Sequence, residues 1–289
     1  MTYDCFIFFN ELDLLEIRLN TLNDVVDRFV IVEATRTFQG NAKPLHYQEN
    51  KERYRAFESK IIHVIVDNYS SFFSRWRKPT AWDIEDHQRN QVMQGIINCK
   101  ADDVIILSDL DEIPKPEQVQ QHKSSVGIGV FKQMNFYYFL NCRSMVGSEE
   151  WWYGPVMARF KDFRKPQDLR AVSKRMNADN MRILKDKYHR FWRSIINPIY
   201  KKEIIIVEDG GWHFGFLGGA KKIIEKLEAF SHDEFNKPEF KKEESIMEAI
   251  HSGKDILGRG QDCEFVPIDA SYPKYILQNL NKYAHLIKM

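Results

Sequence analysis

Asp109 and Asp111 lie two residues apart and close an apolar run, Val104-Ile105-Ile106-Leu107. In an extended segment, residues i and i+2 point the same way, so both carboxylates would share one face at the end of a buried strand. Like charges held together there need a cation. Hard divalent ions such as Mg²⁺ or Mn²⁺ meet that need with oxygen ligands and keep positions free for substrate phosphates. Glu112 adds a third carboxylate directly after the pair. The competing reading is an acidic turn whose Asp caps a helix starting near Pro114-Lys115-Pro116.

A second constellation is Gly210-Gly211-Trp212-His213, which follows the apolar run Ile204 to Val207. Glycines permit close backbone approach and unusual dihedrals, so the segment reads as a turn, and His213 there can ligate a metal. Asp109, Asp111 and His213 are therefore the candidate metal ligands. Asp209 and Glu208, just before the glycine pair, are the first candidates for a carboxylate base, with Glu112 third. His87-Gln88-Arg89-Asn90 offers Arg89 as a planar fork for phosphate. Trp212, Trp151 and Trp152 present flat apolar faces, either for stacking a ligand ring or for filling the core. Residues 161 to 203 carry Arg164, Lys165, Arg170, Lys174, Arg175, Arg182, Arg190 and Arg193. This run either holds an anionic ligand or faces solvent.

The elements that must position these residues alternate in the first half. Tyr3 to Phe9, Phe29 to Val32, Ile61 to Val66 and Val104 to Leu107 read as strands. Glu11 to Leu22, Glu49 to Phe57 and Trp82 to Asn98 read as helices. Continuous apolar strands separated by helices predict an α/β fold with a parallel sheet covered on both faces. Ligands bind beyond the carboxyl ends of such strands, where Glu33, Asp67 and Asp109 fall. Later segments predict a strand within Gly129 to Leu140, a strand at Ile204 to Val207, a helix from Gly215–Gly219 through Phe230, and a tail helix over Tyr275 to Leu286. There is no internal repeat or Pro/Gly/Ser linker, so one continuous domain over 1–289 is expected.

With 42 Lys and Arg against 41 Asp and Glu, the chain lacks the basic excess of a nucleic-acid binder. Its four cysteines, Cys5, Cys99, Cys142 and Cys263, form no close pair, which favours reduced thiols in a cytoplasmic protein. No signal-peptide pattern opens the sequence, and no apolar run approaches the roughly 20 residues needed to cross a bilayer. Peripheral membrane contact stays open.

Asp109-Leu-Asp-Glu-Ile-Pro114, His87-Gln-Arg-Asn90 and Gly210-Gly-Trp-His-Phe214 together resemble glycosyltransferase family 17. The segments YDCFIFFNELDLLEIRLNTL, VDRFVIVEATRTFQG and PKYILQNLNKYAHLI share that resemblance. It implies a GT-A-type nucleotide-diphospho-sugar transferase fold with a mostly parallel central sheet. Residues 1–125 would form the nucleotide-binding half, and 126–289 the acceptor-binding half with the C-terminal helices. It also implies a UDP-linked N-acetylglucosamine donor, a saccharide acceptor and inversion at the anomeric carbon. On that basis Asp111 would hold a divalent ion, with Asp109 as second ligand or ribose contact and His213 as third. Arg89 would face the diphosphate, Glu33 and Trp212 the donor.

Overall fold

A computed structural model describes residues 1–69, 78–145, 150–177, 198–257 and 262–288. The chain opens with β1 (Thr2–Phe8), α1 (Leu12–Leu22), β2 (Arg28–Ala34), α2 (His46–Glu49), a 3-10 segment (Lys51–Lys60) and β3 (Ile61–Val66). Then come α3 (Ala81–Asn90), α4 (Val92–Gly95), β4 (Val104–Asp109), β5 (Glu112–Pro114), α5 (Pro116–His122), β6 (Ile128–Tyr137), β7 (Cys142–Ser144) and β8 (Trp151–Arg159). The remaining elements are α6 (Pro166–Asn177), β9 (Ile204–Val207), β10 (Gly211–Gly215), α7 (Gly219–Ala229), α8 (Glu243–Ser252), β11 (Cys263–Phe265) and α9 (Lys274–Gln278).

One sheet runs in the order β11-β7-β6-β8-β4-β1-β2-β3, with β9 and β10 also on β6, and β5 on β10. Strands β3, β2, β1 and β4 are parallel neighbours, with Ile31 opposite His63, Cys5 opposite Val30, and Asp4 opposite Ile106. Beyond β4 the pairing turns antiparallel at β8. Of the strand pairings among the described residues, five are parallel and five antiparallel. The sheet is therefore mixed, where a mostly parallel one was expected. The reason is connectivity: parallel neighbours need a long crossover, whereas β6, β7 and β8 follow one another with no helix among the described residues between them.

Period-2 alternation divides the parallel strands between two apolar layers. Phe6, Phe8, Phe29 and Ile31 pack with α1 residues Leu15, Ile17 and Leu19 and with tail residues Ile276 and Tyr283. Cys5, Val30, Val32 and Leu107 pack on the other face with Ile84, Val92 and Leu169. Each fully buried side chain of this size contributes about 1.5–3 kcal/mol of apolar transfer.

Several local readings change. The helix expected over Trp82 to Asn98 stops at Asn90, and a separate short turn follows at Val92–Gly95. At its start a capping box closes: Asp83 N–H donates to Thr80 Oγ1 (3.2 Å), and Thr80 N–H donates to Asp83 Oδ2 (2.8 Å). Glu49 to Phe57 is mostly 3-10, with non-helical dihedrals at Tyr54. The tail helix breaks into α9 and a 3-10 turn at Ala284–Leu286. The segment expected as a glycine turn is strand β10 from Gly211 onward. Its glycines serve packing: a Cβ on Gly211 (φ +128°) would lie 2.2 Å from the Ile113 carbonyl oxygen.

Candidate functional site

The acidic strand end is a turn rather than an extended run. Strand β4 ends at Asp109, Leu110 and Asp111 turn, and β5 resumes at Glu112. The same-face argument for Asp109 and Asp111 fails for that reason. One buried guanidinium shapes the turn. Arg18, on α1, donates from Nε and Nη2 to both oxygens of Asp4 (2.8 and 2.6 Å) and from Nη2 to Ser108 Oγ (2.6 Å). Its Nη1 donates to the carbonyls of Asp109 (3.0 Å), Leu110 (3.0 Å) and Glu112 (2.8 Å). Arg18 and Asp4 are both fully buried. Its signal in the sequence is a charged residue set on the apolar stripe Leu14, Leu15, Ile17, Leu19.

The three carboxylates have different fates. Glu112, 1% exposed, accepts a bidentate pair from Arg170 (2.8 and 2.8 Å), the Trp152 indole N–H (2.6 Å) and the Asp109 backbone N–H (2.9 Å). All its acceptor directions are engaged by these donors; burial pushes its carboxyl up, and Arg170 opposes that shift. Asp109 accepts from Arg170 Nη2 (2.6 Å) and Arg89 Nη2 (3.0 Å), one guanidinium on each oxygen. Burial alone would push its carboxyl up, but Arg170 and then Arg89 outweigh that and hold it well below the ordinary carboxylate range. Asp111 accepts from Lys226 Nζ (2.8 Å), and His213 Nε2 lies 3.8 Å from the same oxygen. Here too burial opposes ionisation, and Lys226 followed by His213 reverses the balance.

His213 is aligned by its neighbours. Its Nδ1 is 2.7 Å from Asn135 Oδ1, and its ring stacks on Trp152 at 4.6 Å and 15°. With Nδ1–H donating to Asn135, Nε2 is left on the Asp111 side of the ring, the orientation common for a ligating imidazole. Ligand bonds of roughly 2.0–2.2 Å let one ion touch both atoms across 3.8 Å. Among the described residues no group of three His, Cys, Asp or Glu converges on a common point. Asp109 turns to its arginines, so Asp111 and His213 are what fits a divalent ion, with phosphate and water completing the shell as Mg²⁺ and Mn²⁺ sites commonly allow.

Other expected site residues lie elsewhere. Glu33 is fully buried and accepts from the Tyr47 backbone N–H (2.8 Å), with His63 Nε2 at 3.0 Å. Its carboxylate is spent on α2. Trp212, 2% exposed, belongs to the α1-side core and donates to the Ser271 carbonyl (3.0 Å). Arg89 ties α3 to Asp109 (3.0 Å) and to Gln167 on α6 (2.9 Å), and pairs with Glu85 of its own helix (2.7 Å), in place of a ligand phosphate. Glu208 and Asp209 are well exposed beside Lys132 (3.0 Å) and Lys115 (2.5 Å). Asp209, left-handed at φ +50°, sits in the bend that precedes β10, four residues before His213. Trp151 lies under Lys132 (4.9 Å). In the basic run, Arg170 and Lys174 enter the site, while Arg182, Arg190 and Arg193 lie outside the described residues.

A cavity of about 600 Å³ opens beyond the carboxyl ends of β2 and β3, lined by Arg36, Gln39, Asp67, Tyr69, Lys78 and Ile84 among others. Helix α3 joins it to the acidic turn. Gln88 donates to the Arg36 carbonyl (3.1 Å) and to Tyr69 Oη (3.0 Å), and the next residue, Arg89, holds Asp109. Of these lining residues the sequence reading had marked only Asp67.

The family model of glycosyltransferase family 17 matches residues 1–173. A β-1,4-mannosyl-glycoprotein 4-β-N-acetylglucosaminyltransferase of Rattus norvegicus is 26% identical over 303 residues, covering 96% of this chain and 53% of that protein. Its Mus musculus counterpart is 25% identical with the same coverage. The human protein of that name is 32% identical over 116 residues, 38% of this chain and 21% of its own length. The chain spans about half the length of the curated relatives it matches along most of its length. Among solved structures, an inositol-1-phosphate CTP transferase from T. maritima overlaps 72% of this chain and 85% of that one at 11% identity, with a TM-score of 0.32. No helix among the described residues is long and apolar enough to cross a membrane.

Proposed function

The chain belongs to glycosyltransferase family 17, and from that premise we propose that it moves a sugar from a UDP-linked donor to a hydroxyl of a saccharide acceptor. N-acetylglucosamine is the first choice of sugar, because that is the group named for the relatives that align with 96% of the chain. A free glycan or a lipid-linked saccharide is the acceptor class, the anomeric carbon inverts, and the cytoplasm is the expected compartment. The observation that carries this reading is the shared edge: the cavity beyond β2 and β3 and the Asp109–Glu112 turn after β4 lie at the carboxyl ends of adjoining parallel strands. Ligands of open α/β sheets collect at that edge, and a GT-A-type layout is part of the same proposal.

The residues divide the work. Asp67 and Tyr69, with Arg36 near them, suit a ribose, a base and a phosphate in the cavity. Asp111 and His213 would hold Mn²⁺ or Mg²⁺, with Asn135 and Trp152 fixing the imidazole. When bound, the ion neutralises the departing diphosphate, worth several kcal/mol. Arg170 and Arg89 neutralise Asp109 and so leave Asp111, whose partner is Lys226, as the carboxylate that would take the ion. Arg18 keeps the turn in the shape that presents it.

A donor-hydrolysis screen tests the proposal. Several nucleotide sugars are incubated with and without Mn²⁺, and released UDP or GDP is measured. UDP release from UDP-N-acetylglucosamine that requires the ion supports the reading, and its loss in Asp111→Ala assigns the ion to that carboxylate. Release of pyrophosphate from nucleoside triphosphates instead, or glycan binding without nucleotide binding, defeats it.

A further inference from the structure

Helix α7 delivers one more group to the acidic turn. Strand β10 ends at Gly215, and a tight turn with positive φ at Phe216 (+55°), Gly218 (+102°) and Gly219 (+80°) reverses the chain into α7. Seven residues into that helix, about 10 Å along its axis, Lys226 places Nζ 2.8 Å from Asp111 Oδ2 and 3.7 Å from Glu11 Oε1, 5.6 Å above the Phe216 ring. The oxygen it touches is the one that faces His213 Nε2 across 3.8 Å. An ammonium and a divalent ion cannot both take that one oxygen at bonding distance without strong like-charge repulsion.

We propose that Lys226 is a resident cation that competes with the divalent ion for Asp111 and, once displaced, turns its ammonium to the anionic diphosphate. The inference rests on the metal reading above, and it deepens that reading by naming what the ion must displace. The charge pattern supports it. Asp109 and Glu112 are matched by Arg170 and Arg89, so Lys226 is the principal counter-charge on Asp111. A bound ion would take over the neutralisation of Asp111. That frees a charged group beside the phosphates the ion binds. The Lys226 side chain is 27% exposed, so it has room to move.

The test is Mn²⁺ binding alone, followed by paramagnetic resonance or calorimetry with no nucleotide present, on wild type, Lys226→Met and Lys226→Arg. Lys226→Met is expected to bind Mn²⁺ at least about tenfold more tightly, while Lys226→Arg, which keeps the charge, stays near wild type. At saturating Mn²⁺, Lys226→Met should bind UDP about tenfold more weakly. A merely structural lysine would not move the two affinities in opposite directions. Unchanged or weaker Mn²⁺ binding in Lys226→Met, with near-ultraviolet dichroism and melting unaltered, overturns the proposal. So does failure of all three proteins to bind the ion. Should Lys226→Met not fold, equal Mn²⁺ affinity in wild type and Lys226→Gln overturns it in the same way. Donor turnover is measured separately, so a failed transferase reading leaves the metal competition standing or falling by itself.

Discussion

Replacing Arg170 by Met should destabilise the protein mainly through Glu112. The substitution removes two 2.8 Å bonds to Glu112 and one of 2.6 Å to Asp109. Asp109 keeps Arg89, and its side chain is 36% exposed, so water recovers part of its loss. Glu112 is 1% exposed and retains only the Trp152 indole and the Asp109 backbone N–H. Breaking a buried pair by deleting one partner costs about 3–5 kcal/mol, because the remaining charge is uncompensated. For a chain of this size that corresponds to a fall in melting temperature of about 5–15 °C. The matched double variant, Arg170→Met with Glu112→Gln, buries no unpaired charge, and its amide oxygen still accepts the indole. It should recover at least about half of the loss. Calorimetry and urea unfolding at pH 7 measure all four corners of the cycle. A loss below about 1 kcal/mol in Arg170→Met, or no recovery in the double variant, would refute the assignment of Glu112 as a buried anion matched by Arg170.

Other outcomes follow from the same geometry. Arg18→Met leaves Asp4 uncompensated and three carbonyls of the turn without their donor, so urea unfolding should show a loss of about 3–5 kcal/mol; stability close to wild type would count against the clamp. Asp209→Asn, exposed and paired only with Lys115, should keep donor turnover within about twofold, and a drop beyond tenfold would return it as the base. Acid should act in two stages. Burial lowers the pKa of His87, so its contribution is lost as pH falls below the unfolded value of about 6.5. Asp109, Asp111 and Glu85 have depressed values, so their stabilisation is present above about pH 4 and is lost as pH falls through the lower folded values. Melting temperature against pH should therefore decline gently below about 6.5 and steeply below about 4, and a steep loss already near pH 6 would contradict the second assignment.

The elements that were legible are those whose cause is local. Strands β1 to β4 and β9 appear within two residues of their expected limits, because unbroken apolar runs of that length favour a strand; β1, β2 and β4 are buried on both faces, whereas Ile65 of β3 and Ile204 and Ile206 of β9 stay exposed. Strand direction leaves no such mark, so the antiparallel turn of the sheet at β8 was not foreseen. In the site, His213 Nε2 lies 3.8 Å from Asp111 Oδ2, a proximity no single sequence displays. Asp109 does not join them, because Arg170, sixty-one residues away, claims one of its oxygens. Glu33 and Trp212 lie at strand ends or beside glycines as functional residues often do. Amides of α2 in one case, and the apolar layer against α1 in the other, absorb them. Lys226 gave no signal at all, since nothing in an amphipathic helix marks one lysine among several as the one that turns inward.

The grip of Arg18 on the turn also orders events in time. Its partner Asp4 is 14 positions away, but the carbonyls it holds are 91 to 94 positions away. During synthesis the Asp4–Arg18 pair can form long before Ser108 to Glu112 leave the ribosome. Closing so long a loop to seat β4 against β1 is entropically slow. The shape of the acidic turn thus depends on contacts that span 91 to 94 positions of the chain, so the site is only as well formed as the seating of β4 against β1.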